Sequence, residues 1–167
     1  MSKFFIDQDY LRRFNRIGIA FSGGLDSTVL LDLIAQFKDQ NQIVVLHINH
    51  GVNEDSDDWE KFCKDRVNAL GVEFKSWKLT DLSKISEELL RDKRYQCFEE
   101  WSNKGDLIVT GHHSDDQVET VLFRIFRGTG LKGLEGIKKF SKVKKLNFYR
   151  PLIDYKKKEL LGYAKEN

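Results

Sequence analysis

The sequence predicts an α/β protein built on a Rossmann-like, doubly wound parallel sheet. Apolar runs of strand length alternate with segments of helical periodicity in the order βαβαβαβ, and the runs are apolar on both faces, as in sheets covered by helices. Three polar clusters, at residues 22–27, 47–50 and 111–116, fall at predicted strand ends. In open sheets of this kind a ligand sits beyond the carboxyl ends of the strands, where the strand order reverses. The clusters therefore predict one shared site.

Residues 4–14 read as a short helix and 17–21 as a buried strand. Val29, Leu30, Leu33, Ile34 and Phe37 recur at helical spacing, which predicts a helix over 26–38 packed on the sheet. The run 43–48 is a second strand of parallel-sheet type. Trp59, Phe62, Cys63, Val67 and Leu70 share one face of a helix over 54–70, which Gly71 ends. A strand over 72–79, a helix over 85–101, a break at Gly105 and a strand over 107–110 follow. A further helix starts inside the third cluster, with Val118, Val121, Leu122 and Ile125 as its expected buried stripe.

The 167 residues suit one domain with a real core, and 40% hydrophobic with 32% charged content is that of a soluble globular protein. A formal net charge of +2 does not by itself indicate a nucleic-acid binder, so local clusters must carry that argument. No apolar run has the length of a membrane span, and residues 1–14 lack the apolar stretch of a signal peptide, so the expected location is the cytoplasm. Cys63 and Cys97 form no CxxC pair and are expected to be helix-core residues.

The first cluster, Ser22-Gly23-Gly24-Leu25-Asp26-Ser27, joins a strand to a helix start. Such a turn exposes backbone N–H groups, and the helix dipole favours an anion there. The spacing is not that of a Walker A loop, because no lysine stands where a β/γ-phosphate needs one. A serine-rich cradle suits pyrophosphate, with Asp26 placed to hold a divalent cation. SGGLDS resembles the pyrophosphate loop of the N-type ATP pyrophosphatases.

In the third cluster Asp116 and Glu119 lie three apart on a helix and so share a neighbouring face, close to His112 and His113. Gathering such carboxylates is costly without a cation or an amine. The same residues also suit an ordinary capped helix start. Beyond them come Arg124, Arg127, a glycine-punctuated turn and a basic run at 138–145. That run reads either as a solvated hairpin loop or as a phosphate-backbone contact.

The combination of His47-Ile48-Asn49-His50-Gly51, the helix text EELLRDKRY at 87–95, the run GHHSDDQVETVLFRIFRGTGLKGLEGI and Arg150-Pro151-Leu152-Ile153 resembles the tRNA(Ile)-lysidine synthetases over residues 15–165. The resemblance implies the adenine-nucleotide alpha-hydrolase-like (PP-loop ATPase) form of the fold. It also implies a reaction. ATP adenylates the C2 oxygen of the wobble cytidine of tRNA(Ile) with a CAU anticodon, and the ε-amine of L-lysine then displaces AMP.

By this resemblance Ala20 and residues 22–27 (Ser22, Gly23, Gly24, Leu25, Asp26 and Ser27) bind ATP, Asp26 places Mg²⁺, and His47 and Ile48 line the adenosine pocket. Arg91 meets the nucleotide or the developing negative charge, with Arg94 and Tyr95 shaping the same wall. His112, Asp116 and Glu119 recognise and activate lysine, and the base that deprotonates its amine is His112 or one of the carboxylates. Arg127, Lys132, Lys138 and Lys139 are the expected tRNA contacts.

Two departures from the family stand out. Residues 51–53 read Gly-Val-Asn where relatives more often carry a Leu-Arg pair, and the chain stops at Asn167, where the family's catalytic domain continues and tRNA-gripping modules follow. The expectation is one shortened catalytic domain over 1–167 that binds ATP and modifies tRNA weakly or not at all. Apolar surface exposed by the shortening would be covered by a partner or a second copy, as a homodimer. The alternatives are another PP-loop enzyme, such as a tRNA thiolase or an amidating ligase, and a nucleotide- or RNA-binding module without activity.

Overall fold

The computed structural model describes residues 4–51, 55–79, 86–130 and 134–167. Its elements in chain order are α1 (Gln8–Leu11), β1 (Arg16–Ala20), α2 (Leu25–Ala35), β2 (Gln42–Asn49), α3 (Ser56–Ala69), β3 (Glu73–Lys78), α4 (Glu87–Trp101), β4 (Leu107–Val109), α5 (Ser114–Phe126), β5 (Phe140–Val143), β6 (Leu146–Tyr149) and α6 (Lys157–Glu166). The six strands form one sheet in the order β3-β2-β1-β4-β6-β5. All neighbours are parallel except β5, which runs antiparallel to β6 at the edge.

The chain builds outward from β1 through β2 to β3, then returns to place β4 on the other side of β1. The order reverses there, so the crevice of the fold opens at the carboxyl ends of β1 and β4. Register brings these ends level, with Ile19 beside both Val45 and Val109.

The alternation of strand residues sorts the core into two layers. Ile17, Ile19, Val45, Leu107 and Val109 pack with Leu30 and Ile34 of α2, Cys63 and Val67 of α3 and Leu160 of α6. Val44, Leu46, Ile108 and Phe148 face the other way, onto Phe98 and Trp101 of α4. Gly18 makes the second contact possible, because a Cβ there would lie 2.6 Å from Leu46 Cδ1 and 2.8 Å from the Trp101 ring. Cys63 and Cys97 are both buried and free, as expected of helix-core residues. A cavity of about 410 Å³, lined by Phe4, Phe5, Ile6, Leu33 and Phe37 among others, lies at the C-terminal end of α2, away from the strand ends where the polar clusters gather.

Three expectations are corrected. The helix expected over 4–14 is a single turn, because the Asp7 carboxylate accepts the N–H of Tyr10 and starts the helix only at Gln8. The preceding residues run into the core instead, tied by the hydroxyls of Tyr155 and Tyr149, which accept the N–H groups of Phe5 and Asp7. The basic run at 138–145, read as a solvated hairpin loop or a phosphate-backbone contact, does enter a hairpin, but one whose strands β5 and β6 belong to the sheet rather than to a solvated loop. The expected buried stripe of α5 is not buried: Val118 is 59% exposed, and Leu122 and Ile125 are about half exposed. Periodicity reports that this face is apolar, not that another element covers it.

Candidate active site at the ends of β1, β2 and β4

The loop after β1 is held by its own hydroxyls. Ser27 Oγ donates to Gly24 O at 3.0 Å and accepts the N–H of Ser22 at 3.3 Å. The single proton of Ser27 is thereby used, so Ser22 is the donor across the 3.1 Å contact between the two hydroxyls. Ser22 Oγ also accepts the N–H of Gly24. Gly23 has φ +82°, a left-handed conformation that a side chain would strain. Gly24 caps α2 without a side-chain hydrogen bond, which leaves the dipole end of α2 turned toward any anion in the loop.

Asp26 lies in the first turn of α2, with Oδ1 buried and unpartnered and Oδ2 3.5 Å from His113 Nε2. His113 is 4% exposed and caps α5. Its backbone N–H donates to Asp116 Oδ2 at 2.8 Å, and its ring Nδ1 lies 3.6 Å from the same oxygen. Asp26, His113 and Asp116 thus form one connected chain across the switch point. Gly111 permits the approach, since the loop after β4 crosses directly over the backbone of Asp26.

His112 points elsewhere. Its Nδ1 is 2.8 Å from Thr110 Oγ1. Burial pushes its pKa down to about 4; Arg150 lowers it further, Asp116 opposes the shift, and Arg94 and Arg91 add smaller contributions in the lowering direction. Three guanidinium groups, from α4 and from the residue after β6, therefore converge on a neutral imidazole. Arg150 is itself buried, donates to Lys138 O at 2.7 Å and Ser141 Oγ at 2.9 Å, and has an unpartnered Nε. Arg94 keeps an exposed surface, yet surrounding atoms and Arg91 push its guanidinium below the usual value.

The end of β2 joins the same region. His47 is buried with Nδ1 2.9 Å from Phe21 O, so its ring ties β2 to the loop after β1. His50 Nδ1 is buried without a partner, and burial followed by Arg94 and His47 lowers its pKa. Ile48 and Ala20 are partly buried beside the α4 layer.

The structure thus brings Asp26 and Asp116 together through His113, and sets His112 on the other side of Asp116, within the influence of Arg150, Arg94 and Arg91. Glu119 is exposed one turn further along α5. The residue that follows the glycine-punctuated turn is tied to α5, because Gln117 donates to Ile137 O at 2.6 Å and accepts its N–H in return. Of the expected tRNA contacts, Lys138 pairs with Glu135 at 2.8 Å, Lys139 pairs with Asp154 at 2.7 Å, and Arg127 stacks 4.0 Å over the Phe123 ring. Lys132 lies outside the described residues.

Sequence reasoning passed over His113 and Arg150 as site residues. The signal for His113 was its place between strand end and helix start, where a cap belongs. Arg150 stood in the Arg150-Pro151-Leu152-Ile153 motif, but without a role, because its position beside His112 depends on the tertiary fold.

Asp26 suits a share in binding Mg²⁺: its buried Oδ1 lacks a partner, and Mg²⁺ with a nucleotide needs only one or two protein carboxylates beside the phosphates. Among the described residues no group of three or more His, Cys, Asp or Glu side chains is arranged to hold a metal without such help. No helix among them is long and apolar enough to cross a membrane.

A family model described as a PP-loop domain of ATP-binding type matches residues 1–167. The tRNA(Ile)-lysidine synthase of Legionella pneumophila (strain Paris) is 38% identical over 157 residues, which cover 93% of this chain and 36% of the relative. The synthase of Pseudomonas syringae pv. tomato is 38% identical over 151 residues, covering 88% and 34%. The chain spans about a third of the length of these curated relatives. Among solved structures, the U34-tRNA thiolase NcsA from Methanococcus maripaludis with its 4Fe-4S cluster superposes with a TM-score of 0.74 at 22% identity, covering 95% of this chain and 59% of that one. Phosphoadenylyl-sulfate reductase from Candida auris superposes with a TM-score of 0.57 at 14% identity, covering 92% and 72%. At these identities the two structures support the fold alone.

Proposed function

We propose that this chain, which belongs to the PP-loop domain family, is the ATP-activating part of a tRNA(Ile)-lysidine synthase. The observation that carries the reading is the 3.5 Å approach of His113 to Asp26, which sets the GHHSDDQVET segment directly against the phosphate loop. One crevice then serves both halves of a ligation. The C2 oxygen of the wobble cytidine attacks the α-phosphorus of ATP and pyrophosphate leaves. The ε-amine of lysine next attacks C2, AMP leaves with the oxygen, and the amine gives up a proton.

In this reading the loop amides and the Ser22 and Ser27 hydroxyls hold the pyrophosphate end, with Leu25 in the same turn and Ala20 beneath it. Asp26 supplies a carboxylate to Mg²⁺, which when bound offsets phosphate charge. His47 and Ile48 line the adenosine side. Arg91, Arg94 and Arg150 face the developing negative charge, for which planar guanidinium groups are suited. Asp116 and Glu119 take the lysine ammonium. His112, lowered to about 4 by burial and by Arg150, is a neutral imidazole that orients the substrate at neutral pH, and the amine's proton goes to one of the groups beside it, His112 itself or the carboxylate of Asp116 or Glu119.

Cytoplasmic placement beside tRNA follows from the substrate. The exposed face of α5 is where a second copy would pack in a homodimer. Of the expected tRNA contacts, Arg127 keeps an exposed position for one, whereas Lys138 and Lys139 must first leave their carboxylates. The thiolase alternative is disfavoured because Cys63 is buried and burial raises its thiol to about 11, with Cys97 raised for the same reason.

The test is incubation with ATP, Mg²⁺, labelled lysine and a tRNA(Ile) transcript with a CAU anticodon. Weak but lysine-dependent AMP release is expected, and any tRNA product is heavier by one lysine less one water. Sulfur exchange, or AMP release indifferent to lysine, would overturn the assignment.

A further inference from the structure

Trp59, in the first two turns of α3, has no part in the roles above, yet it touches the phosphate loop. Its indole Nε1–H donates to Ser22 O at 2.9 Å. A Cβ on Gly23 would fall 2.6 Å from Cys63 Sγ and 2.9 Å from Cζ2 and Nε1 of Trp59, so the loop backbone rests on the indole and the thiol. Trp59 is 47% exposed, and its ring stacks on Phe62 at 5.3 Å and 26°. The indole thus spends its one donor on a backbone carbonyl although water is within reach.

The helix that carries Trp59 is anchored on the neighbouring loop. Asn49, at the end of β2, donates to Asp57 Oδ1 and Glu60 Oε2, each at 2.9 Å, and these two residues flank Trp59. Asn49 Oδ1 accepts the N–H of Gly51. Lys78 at the end of β3 closes on Asp57 at 2.6 Å. The start of α3 is therefore a bracket fastened to three of the strand ends.

A trans peptide is planar, with its C=O and N–H on opposite sides. Pinning Ser22 O to α3 turns the N–H of Gly23 away from α3. Glycine at 23 makes that peptide easy to flip, and a flip would present a carbonyl oxygen to the phosphates in place of a donor. We propose that Trp59 is a positioning residue that holds the Ser22-Gly23 peptide with its N–H toward the pyrophosphate group. The assignment rests on the ATP reading above and adds a residue to it.

The test uses the whole chain and titrates pyrophosphate, ATP and AMP into wild type and Trp59→Phe, which keeps an aromatic ring and removes the donor. Loss of one hydrogen bond predicts that pyrophosphate and ATP bind roughly 3- to 10-fold more weakly. AMP affinity stays as in wild type, and the melting temperature falls by no more than about 6 °C. Pyrophosphate also changes the tryptophan emission of wild type, and that change disappears in the variant, which retains Trp77 and Trp101. Equal weakening of AMP and ATP would mark a general structural defect and overturn the assignment, as would unchanged pyrophosphate affinity. Wild type that binds neither ATP nor pyrophosphate would overturn the ATP reading itself, and the assignment with it.

Discussion

Replacing Gly111 by alanine puts a methyl group where the loop after β4 crosses the first turn of α2. The new Cβ would lie 3.1 Å from Asp26 O, 3.2 Å from Asp26 C and 3.4 Å from Ser27 N. These are helix backbone atoms, so no side-chain rotation relieves the contact. Restoring an ordinary 3.4 Å separation from the carbonyl oxygen opens the crossing by about 0.3 Å. Overpacking of this kind costs about 1 kcal/mol at its low end, and removing a glycine from the unfolded chain returns about 0.4–1 kcal/mol. The net loss is then under about 1 kcal/mol, which for a chain of this size lowers the melting temperature by no more than about 4 °C.

The site is more sensitive than the fold. The His113 to Asp26 contact already stands at 3.5 Å, two residues along the displaced loop. Moving His113 relative to Asp26 misplaces the carboxylate that the proposed site turns toward the phosphates, so ATP binding in Mg²⁺ should weaken by up to roughly tenfold, about 1.4 kcal/mol. Thermal melting by circular dichroism and titration calorimetry with ATP read the two effects separately. Unchanged ATP affinity in a folded Gly111→Ala protein would refute the claim that the two loops act as one site.

Gly18→Ala should act on the fold instead: the methyl would meet the buried Trp101 ring at 2.8 Å, and Arg16 stacks on that ring at 4.6 Å, so a melting temperature lower by about 3–8 °C is expected. His112 is held well below its unfolded value, so the native state binds fewer protons than the unfolded state between about pH 6.5 and 4. Its contribution is present above that window and is lost as pH falls through it, by an amount of order 3 kcal/mol. Denaturant titrations of wild type across this range should therefore show a steeper fall than those of His112→Gln. Arg150→Met removes the largest charge that depresses His112, so its imidazole should titrate at higher pH in an NMR titration. Cys63 and Cys97, both buried, should resist thiol reagents until denaturant is added and then react together.

What the sequence made legible was whatever local pattern controls. The apolar run into Gly23 and Gly24 located β1, the loop and α2 to within a few residues, because turn chemistry and strand period agree there. The three polar clusters did meet at the switch point, as strand order requires. Legibility failed where tertiary partners decide. The Val118, Leu122 and Ile125 stripe is apolar at helical spacing but lies exposed, because period says nothing about cover. A hairpin was legible at 138–145, but its lysines made it read as solvated loop, whereas β5 and β6 join the sheet, and Ser141 and Val143 alternate with Lys142 and Lys144 in exposure as a half-covered edge strand does. His113 was overshadowed by its neighbour His112, since choosing between adjacent histidines needs the position of Asp26, which lies far away in sequence. Trp59 read as a core residue of α3, whereas its indole faces a carbonyl of the loop after β1.

Hydrogen–deuterium exchange of the whole chain with and without ATP and Mg²⁺ tests the central claim most directly. One ATP site at the switch point predicts that residues 22–27 and 111–116 both become protected, with smaller protection at the end of β2. Protection confined to one of those loops, or centred on the cavity lined by Phe4, Ile6, Leu33 and Phe37 at the far end of α2, would contradict it.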